Sequence, residues 1–210
     1  MKLYGFAPSP NTWQVRALAV HLGVPLDFVA LDFVKGDTRT PDFLAINPTG
    51  RTPALVDGDF KLWETLAVMQ YVAGKTANAL WPDNARTRAD ITRWQSWNLA
   101  HWTRDAWAPV LTERLVKKML NLGPPDEAVI AKGLEAFNKE AAVLNAHLGS
   151  HKYLVGEALT IADFAVAASL FYAKDAQMPL APYPHVRAWS ERVMALPCWR
   201  KTAPQMAAAA

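Results

Sequence analysis

The first part of the chain alternates between short apolar runs and a segment with helical periodicity. Lys2–Phe6 is short, apolar and partly alternating, which is typical of a strand. Apolar residues then recur at helical spacing from Val15 to Leu22, and Gly23 follows in the position of a helix C-cap. Leu26–Asp32 is again apolar and predicts a second strand. Two strands joined by a helix of this size predict a right-handed βαβ unit with parallel strands.

The next segment has a different pattern. Pro41–Ile46 predicts a short helix. Ala54–Val56 and Asp59–Leu62 predict two strands, and the dipeptide Asp57-Gly58 between them is a strong signal for a β-hairpin. Glu64–Ala73 predicts a further helix. The predicted order is therefore β-α-β-α-β-β-α, a parallel pair of strands joined to an antiparallel hairpin.

Strand signals end near residue 83, and the remaining segments favour helix. These segments are Arg86–Trp107, Pro109–Asn121, Asp126–Leu148, Ile161–Ala173 and Tyr183–Leu196. Together they predict a helical bundle. The predicted fold class is α/β plus all-α, with an α/β domain at residues 1–76, a linker at 77–85 and an all-helical domain at 86–203. Residues 204–210 are expected to be a disordered tail.

Composition and charge exclude several classes of function. The net charge of +3 comes without a basic run, so no nucleic-acid partner is predicted. No stretch approaches the roughly 20 apolar residues of a membrane span, and prolines interrupt the N-terminal apolar run, so we expect a cytoplasmic protein without a membrane partner. Cys198 is the single cysteine, and the five histidines lack metal-ligand spacing. No disulfide, redox cysteine pair or metal site is predicted.

Three short motifs lie at the ends of the predicted strands: Ala7–Thr12, Arg51–Pro53 and Trp63–Thr65. With the element order and the helical second half, they resemble the cytosolic glutathione S-transferases along nearly the whole chain, in particular bacterial, serine-type, theta-, phi- and nu-like members. The resemblance implies a thioredoxin-like N-terminal domain that binds glutathione as co-substrate. It also implies a helical domain that forms the pocket for an electrophile.

Thr52-Pro53 matches the cis-proline that precedes the third strand in this family. A cis bond turns the backbone N–H and C=O of Thr52 outward, where they can pair with the backbone of the cysteine in glutathione like an added strand. The alternative is an ordinary proline at the start of a strand, which sheet edges tolerate.

Glu64 and Thr65 match the family's Glu-Ser pair at the start of the third helix. Thr65 is expected to donate its hydroxyl and N–H to the γ-glutamyl carboxylate at the helix N-terminus, and Glu64 to pair with the ammonium group. The alternative is ordinary acidic decoration of a first helical turn. Arg39 and Arg51 are candidates for binding the glycine carboxylate, although most arginines are solvated surface residues.

Ser9 falls at the position of the catalytic serine of the serine-type transferases. Its hydroxyl can donate a hydrogen bond to the sulfur of glutathione, and the dipole of the first helix adds positive potential there. Asn11 is the second candidate for this role and Thr12 the third, although Asn11 or Thr12 is expected to cap the helix. Trp13 stands where several relatives place an arginine, and Arg16 lies further on.

In the helical part, Thr160 and Asp163 match the family's capping motif, for which we expect a role in folding. Tryptophans crowd the segment 94–107. At helical spacing such residues are usually core, but in this family the same helix faces the substrate cleft. On that interpretation Trp102 or Trp107 lines the apolar pocket of the second substrate, with Arg104 or His101 near the thiol.

The resemblance implies an enzyme that activates glutathione as a thiolate and conjugates it to an apolar electrophile. Glutathione-dependent reduction of peroxides or disulfides is an alternative, as is a non-catalytic glutathione-binding protein. Without a cysteine at residue 9, chemistry through a protein–glutathione mixed disulfide is disfavoured. A role in detoxification and a homodimer are further implied, with residues 64–71 and 86–97 near the interface.

Overall fold

The N-terminal part of the protein, in a computed structural model that describes residues 1–204, is built on a four-stranded sheet. Its elements are β1 (Lys2–Gly5), α1 (Pro10–Leu22), β2 (Asp27–Ala30), α2 (Pro41–Leu44), β3 (Ala54–Asp57), β4 (Phe60–Trp63) and α3 (Thr65–Ala73). The strand order is β2-β1-β3-β4, with β1 and β2 parallel and the other two pairs antiparallel. The predicted order of elements and the parallel first pair are confirmed.

The hairpin between β3 and β4 is displaced by one residue from its predicted turn. Asp57 pairs with Phe60, so Gly58 and Asp59 form the two-residue connection. Gly58 has a φ of 64°, a conformation that glycine adopts without the steric cost that a side chain brings. The Asp57-Gly58 signal therefore identified the hairpin but not the residues at its tip.

The second part of the chain is helical. Its helices are α4 (Ala85–Trp97), α5 (Ala108–Leu111), α6 (Lys117–Leu120), α7 (Glu127–Leu148), α8 (Ile161–Ala167) and α9 (Pro184–Met194). A 3₁₀ segment, Ala168–Tyr172, continues α8. Asp163 is fully buried and closes the predicted capping box with Thr160 at the start of α8, which confirms that motif. Among the described residues, no helix is both long and apolar enough to cross a membrane.

Two π-helical segments join α4, α5 and α6 into one unbroken helical run. They span Asn98–Trp107 and Thr112–Val116. The predicted break before Pro109 is therefore wrong. Proline lacks an N–H and its ring clashes with the carbonyl four residues back. A π-helical turn pairs residues five apart instead of four, so a proline just after one interrupts fewer α-helical bonds.

The chain divides into two compact units with a boundary different from the predicted one. Residues 1–82 and 196–204 form the first unit, and residues 83–195 form the second. The sequence placed residues up to 203 in the helical domain. Instead, a last helix, α10 (Pro197–Lys201), packs on α1, with the rings of Trp13 and Trp199 edge to face at 5.7 Å. Residues 205–210, most of the expected tail, lie outside the described residues.

Candidate active site

One end of each of the four strands lies along the same side of the sheet. We name this line of strand ends the sheet edge, as distinct from the outer strands of the sheet. Gly5 pairs with Ala30, Tyr4 pairs with Ala54, and Ala54 pairs with Trp63. The carboxyl ends of β1, β2 and β4 therefore lie beside the amino end of β3. In α/β sheets, ligands bind outside the carboxyl ends of strands. All candidate glutathione-site residues of the first unit follow or precede the strands at this edge.

Helix α1 begins at this edge with Ser9 in the N-cap position. The Ser9 N–H donates to the Phe6 carbonyl at 3.0 Å, and the Ser9 carbonyl accepts from the Trp13 N–H at 2.9 Å. The Ser9 hydroxyl makes no capping hydrogen bond to the first turn. Backbone bonds thus fix the residue while its hydroxyl stays available for a ligand. The expectation that Asn11 or Thr12 caps the helix is wrong, because the helix already starts at Pro10.

Thr12 is excluded as a contact of the thiol because its side chain is fully buried. It packs against strand β1 so closely that a Cβ at Gly5 would lie 2.6 Å from both the methyl and the hydroxyl of Thr12. The glycine therefore allows α1 to seat on the sheet. Asn11 is exposed, and its Oδ1 accepts a hydrogen bond from Gln14 Nε2 at 3.3 Å. Asn11 remains a candidate.

A buried asparagine shapes the loop before β3. Asn47 is 2% exposed, and its Nδ2 donates to the Arg51 carbonyl at 2.7 Å. Its Oδ1 accepts from the Thr49 N–H at 3.0 Å and from the Thr49 hydroxyl at 2.8 Å. The Thr52–Pro53 bond that follows is cis, as expected. Sequence analysis missed Asn47, although Asn at the start of a Pro- and Gly-containing loop is a signal for such a turn.

Arg51 belongs to this loop, and Arg39 lies beside it. Both are exposed, and within residues 1–204 neither forms an ion pair. Gly50 has a φ of 64°, and a Cβ there would lie 2.9 Å from Arg39 Nη1. The Arg39 guanidinium therefore rests against the loop that carries Arg51. Two cations without an ion-pair partner that meet at one loop can bind a ligand carboxylate.

Helix α3 begins at the same edge with a strained residue. Glu64 has a φ of 70° and a ψ of 117°, an unfavourable conformation for a residue with a side chain. Its carbonyl accepts the Val68 N–H at 3.0 Å, and no side chain caps the helix. The N–H groups of the first turn, starting at Thr65, are left open and carry the positive end of the helix dipole. This terminus suits a carboxylate.

An aromatic pair that includes a residue close to Ser9 in sequence was not predicted. The rings of Phe6 and Phe33 stack with centroids 4.8 Å apart. Phe33 is 41% exposed and belongs to a tight turn in which Asp32 Oδ1 accepts the Val34 N–H at 2.9 Å. The Phe6 carbonyl also accepts the Ser9 N–H, so the backbone of this aromatic residue is joined to that of the candidate catalytic residue. The exposed Phe33-Val34 pair just after a strand was its sequence signal.

The residues predicted for the second-substrate pocket all belong to the helical unit. Trp102 and Trp107 are at most 1% exposed. The Trp102 indole N–H donates to the Val166 carbonyl at 3.3 Å and to Ser169 Oγ at 3.2 Å, and both indoles contact Phe137. Both therefore belong to the core of the helical unit, and a pocket role for them is wrong. Arg104 is exposed and its guanidinium pairs with Asp105 at 2.6 Å.

The remaining titratable groups supply no further site. Among residues 1–204, no group of three or more His, Cys, Asp or Glu side chains is placed to hold a metal ion. Cys198 is buried, and this burial raises the pKa of its thiol. The candidate site is therefore the sheet edge with Ser9, Thr52 and Glu64.

Comparison with known proteins gives matches over most of the chain. The family model described as glutathione S-transferase, N-terminal domain, matches residues 1–74, and the one described as glutathione S-transferase, C-terminal domain, matches residues 102–197. Glutathione S-transferase 3 of Zea mays is 38% identical over 209 residues, covering 96% of this chain and 92% of the maize protein. A probable glutathione S-transferase of Oryza sativa subsp. japonica is 37% identical over 209 residues, covering 98% and 97%.

The fold of a solved structure agrees as well. Glutathione S-transferase I from maize, in complex with an atrazine glutathione conjugate, superposes with a TM-score of 0.86 at 32% identity. The match covers 96% of this chain and 95% of that one. With two family models and full-length relatives in agreement, the chain belongs to the glutathione S-transferase family.

Proposed function

We propose that this protein is a glutathione transferase that activates the thiol of glutathione as a thiolate and delivers it to an electrophilic carbon of an apolar compound. One observation carries the proposal. The N-termini of α1 and α3, neither capped by a side chain, open at one sheet edge on either side of the Thr52 backbone. Glutathione has three groups that match these features in the same order. Its thiol matches the N-terminus of α1, its peptide backbone matches Thr52, and its γ-glutamyl carboxylate matches the N-terminus of α3.

The thiolate is stabilised at the first of these termini. Lowering a thiol pKa by two units requires about 2.7 kcal/mol of preferential stabilisation. A hydrogen bond to a charged group contributes about 1.5–3 kcal/mol. A helix N-terminus contributes about 0.3–1 kcal/mol. The free Ser9 hydroxyl and the dipole of α1 together reach this range, with the exposed Asn11 amide as a second donor.

The rest of glutathione is held by the other groups at the edge. Thr52 offers its backbone N–H and C=O to the cysteinyl backbone, since the β3 ladder starts only at Ala54. Thr65 and the first-turn N–H groups bind the γ-glutamyl carboxylate, and Glu64 pairs with the ammonium. Arg39 and Arg51 bind the glycine carboxylate. Fixing the sulfur in this way converts a bimolecular attack into a near-unimolecular one.

The electrophile is proposed to be an apolar aromatic compound with a leaving group. The stacked Phe6 and Phe33 rings provide an apolar surface, and the Phe6 backbone is hydrogen-bonded to that of Ser9. The maize relative that binds an atrazine conjugate of glutathione supports this substrate class. The thiolate forms a carbon–sulfur bond, the bond to the leaving group breaks, and that group departs as an anion. The thiol proton has already gone to solvent.

The same thiolate can attack a peroxide or a disulfide, which is the second enzymatic reaction proposed for this site. Ser9 cannot form a mixed disulfide and Cys198 is buried, so a second glutathione has to release the product.

We also propose a homodimer through α3 and α4. Phe60 and Trp63 support it, because they lie on the edge strand β4 and are 43% and 37% exposed. A cytoplasmic location stays a prediction.

Calorimetric titration with glutathione tests the proposal directly. We expect saturable binding that Glu64→Ala abolishes and Ser9→Ala largely keeps, because Ser9 acts on the reactivity of the sulfur. Conjugation of an activated aryl chloride should fall in both variants. Glu135→Ala is the matched control, because this exposed glutamate lies on α7 in the other unit. Absence of binding at millimolar glutathione would refute the proposed function.

A further inference from the structure

Helix α1 is fastened to the end of the described chain through Trp13. The Trp13 indole is 7% exposed, and its Nε1 donates to Thr202 Oγ1 at 3.1 Å and to the Trp199 carbonyl at 3.3 Å. The Thr202 hydroxyl in turn donates to the Cys198 carbonyl at 2.8 Å. We name Trp13, Trp199 and Thr202 the C-terminal clamp. It joins residues that are 186 and 189 positions apart in sequence.

The clamp is one hydrogen bond away from Ser9. The backbone N–H of Trp13 donates to the Ser9 carbonyl, the first helical bond of α1. On its other side, Ser9 is held by the Phe6 carbonyl at the end of β1. A third anchor is the close seating of Thr12 on Gly5. A displacement of Trp13 therefore moves the carbonyl of Ser9 directly.

We infer that Trp13 and Thr202 are positioning residues for the thiolate. The clamp sets the position of the Ser9 hydroxyl, and of the N-terminus of α1, relative to the sulfur of bound glutathione. The inference rests on the proposed function. Its physical basis is that hydrogen bonding to a developing charge is sensitive to displacements of about 0.5 Å, so groups that lock the donor act on reactivity. The clamp thus acts on the acidity of the bound thiol rather than on its affinity.

The test measures the pKa of the thiol of bound glutathione in four variants. Trp13→Phe keeps an aromatic ring but removes both hydrogen bonds of the indole, and Thr202→Val removes the shorter one. Thr202→Ser keeps the hydroxyl and serves as the conservative rescue. Trp189→Phe is the matched control, because Trp189 Nε1 likewise donates a buried hydrogen bond, to Asp163 Oδ1 at 2.9 Å in the helical unit.

Thiolate absorbance and the pH profile of kcat are the readouts. We expect Trp13→Phe to raise the pKa of bound glutathione by about half a unit, which lowers kcat about threefold below that pKa, with KM for glutathione within about twofold of wild type. Thr202→Val should shift the profile in the same direction by less, because the Trp199 carbonyl still accepts from Trp13. Thr202→Ser should match wild type, and Trp189→Phe should lose thermal stability without any shift of the profile.

Other outcomes are distinguishable. If Trp13→Phe and Thr202→Val lower the melting temperature as Trp189→Phe does but keep the wild-type pH profile, the clamp is only structural and the inference is wrong. If Trp13→Phe fails to fold, the contrast between Thr202→Val and Thr202→Ser decides. If the wild-type protein itself forms no thiolate with glutathione, the proposed function fails instead.

Discussion

The buried amide of Asn47 donates to the Arg51 carbonyl at 2.7 Å and so closes the loop that leads to Thr52. The same side chain accepts both hydrogen bonds of Thr49, so three bonds within the loop depend on it. This residue is not expected to touch glutathione. It fixes the backbone that does.

Asn47→Ala is therefore expected to affect both stability and binding. Leaving buried donors and acceptors unpaired costs about 1–3 kcal/mol, which urea unfolding will measure. The KM for glutathione should rise together with this loss, because the Thr52 backbone is no longer held in register. The control is Asn138→Ala, because Asn138 Oδ1 accepts a solvent-exposed hydrogen bond from the Tyr183 hydroxyl. An unchanged KM would show that the loop keeps its shape without the asparagine.

Glu64 gives a prediction that separates strain from function. Its φ of 70° suits glycine better than any residue with a side chain. Glu64→Gly should be about 1 kcal/mol more stable than Glu64→Ala, because alanine keeps the strain. Both variants should lose glutathione binding, since both lack the carboxylate. Thermal unfolding and calorimetry on the pair provide the two readouts, and a Glu64→Gly protein less stable than Glu64→Ala would contradict the account.

Gly5 tests the seating of α1 on the sheet. A methyl group there would meet the Thr12 side chain at 2.6 Å, so Gly5→Ala should cost about 1–3 kcal/mol by overpacking. Thr12→Ala shortens the neighbouring side chain, and the double variant should recover part of the loss. A double-mutant cycle by urea unfolding measures this coupling. Strictly additive effects would mean that the two side chains do not compete for space.

The pH dependence of stability should contain a contribution from His147. Burial, reinforced by the stacked ring of His151, lowers the pKa of His147 below its ordinary value. In the unfolded chain a histidine binds a proton below pH of about 6.5. The folded protein resists that proton, so its stability falls as the pH decreases from about 6.5 toward the lowered folded-state pKa.

The comparison of wild type with His147→Gln isolates this contribution. His21 also has a pKa lowered by burial and adds to the same trend, so the wild-type curve alone is not diagnostic. The glutamine variant should lose less stability between neutral pH and pH 5 than the wild type does. Urea unfolding at a series of pH values gives the two slopes, and parallel slopes would exclude His147 as the titrating group.

Much of the fold follows from local signals in the sequence. The order of strands and helices in the first unit, the hairpin, the cis Thr52–Pro53 bond and the capping box at Thr160 each depend on residues near in sequence. The edge that gathers Ser9, Thr52 and Glu64 follows from the same order. Contacts between residues far apart in sequence could not be predicted from local signals. The hydrogen bond between Trp13 and Thr202 is the clearest case.

The prediction that tryptophans of the helical unit line a pocket failed for a different reason. Trp97, Trp102 and Trp107 recur every five residues, a spacing that scatters them around an α-helix. In a π-helix, residues five apart are hydrogen-bonded neighbours along one face. The observed π segment therefore stacks Trp97 on Trp102 at 5.5 Å and brings Trp102 to 5.8 Å from Trp107. The five-residue spacing was the signal for an aromatic row of which Trp102 and Trp107 are buried.

The grouping of residues 196–204 with the N-terminal unit bears on how the protein is made. A ribosome releases the chain from its N-terminus, and domains generally fold as units in that order. Here the first unit lacks its last helix until residues 83–195 of the second unit have been synthesised. A nascent chain that ends before residue 196 therefore exposes the side of α1 that Trp13 occupies, and the helix that follows Ser9 is secured only after the second unit has been made.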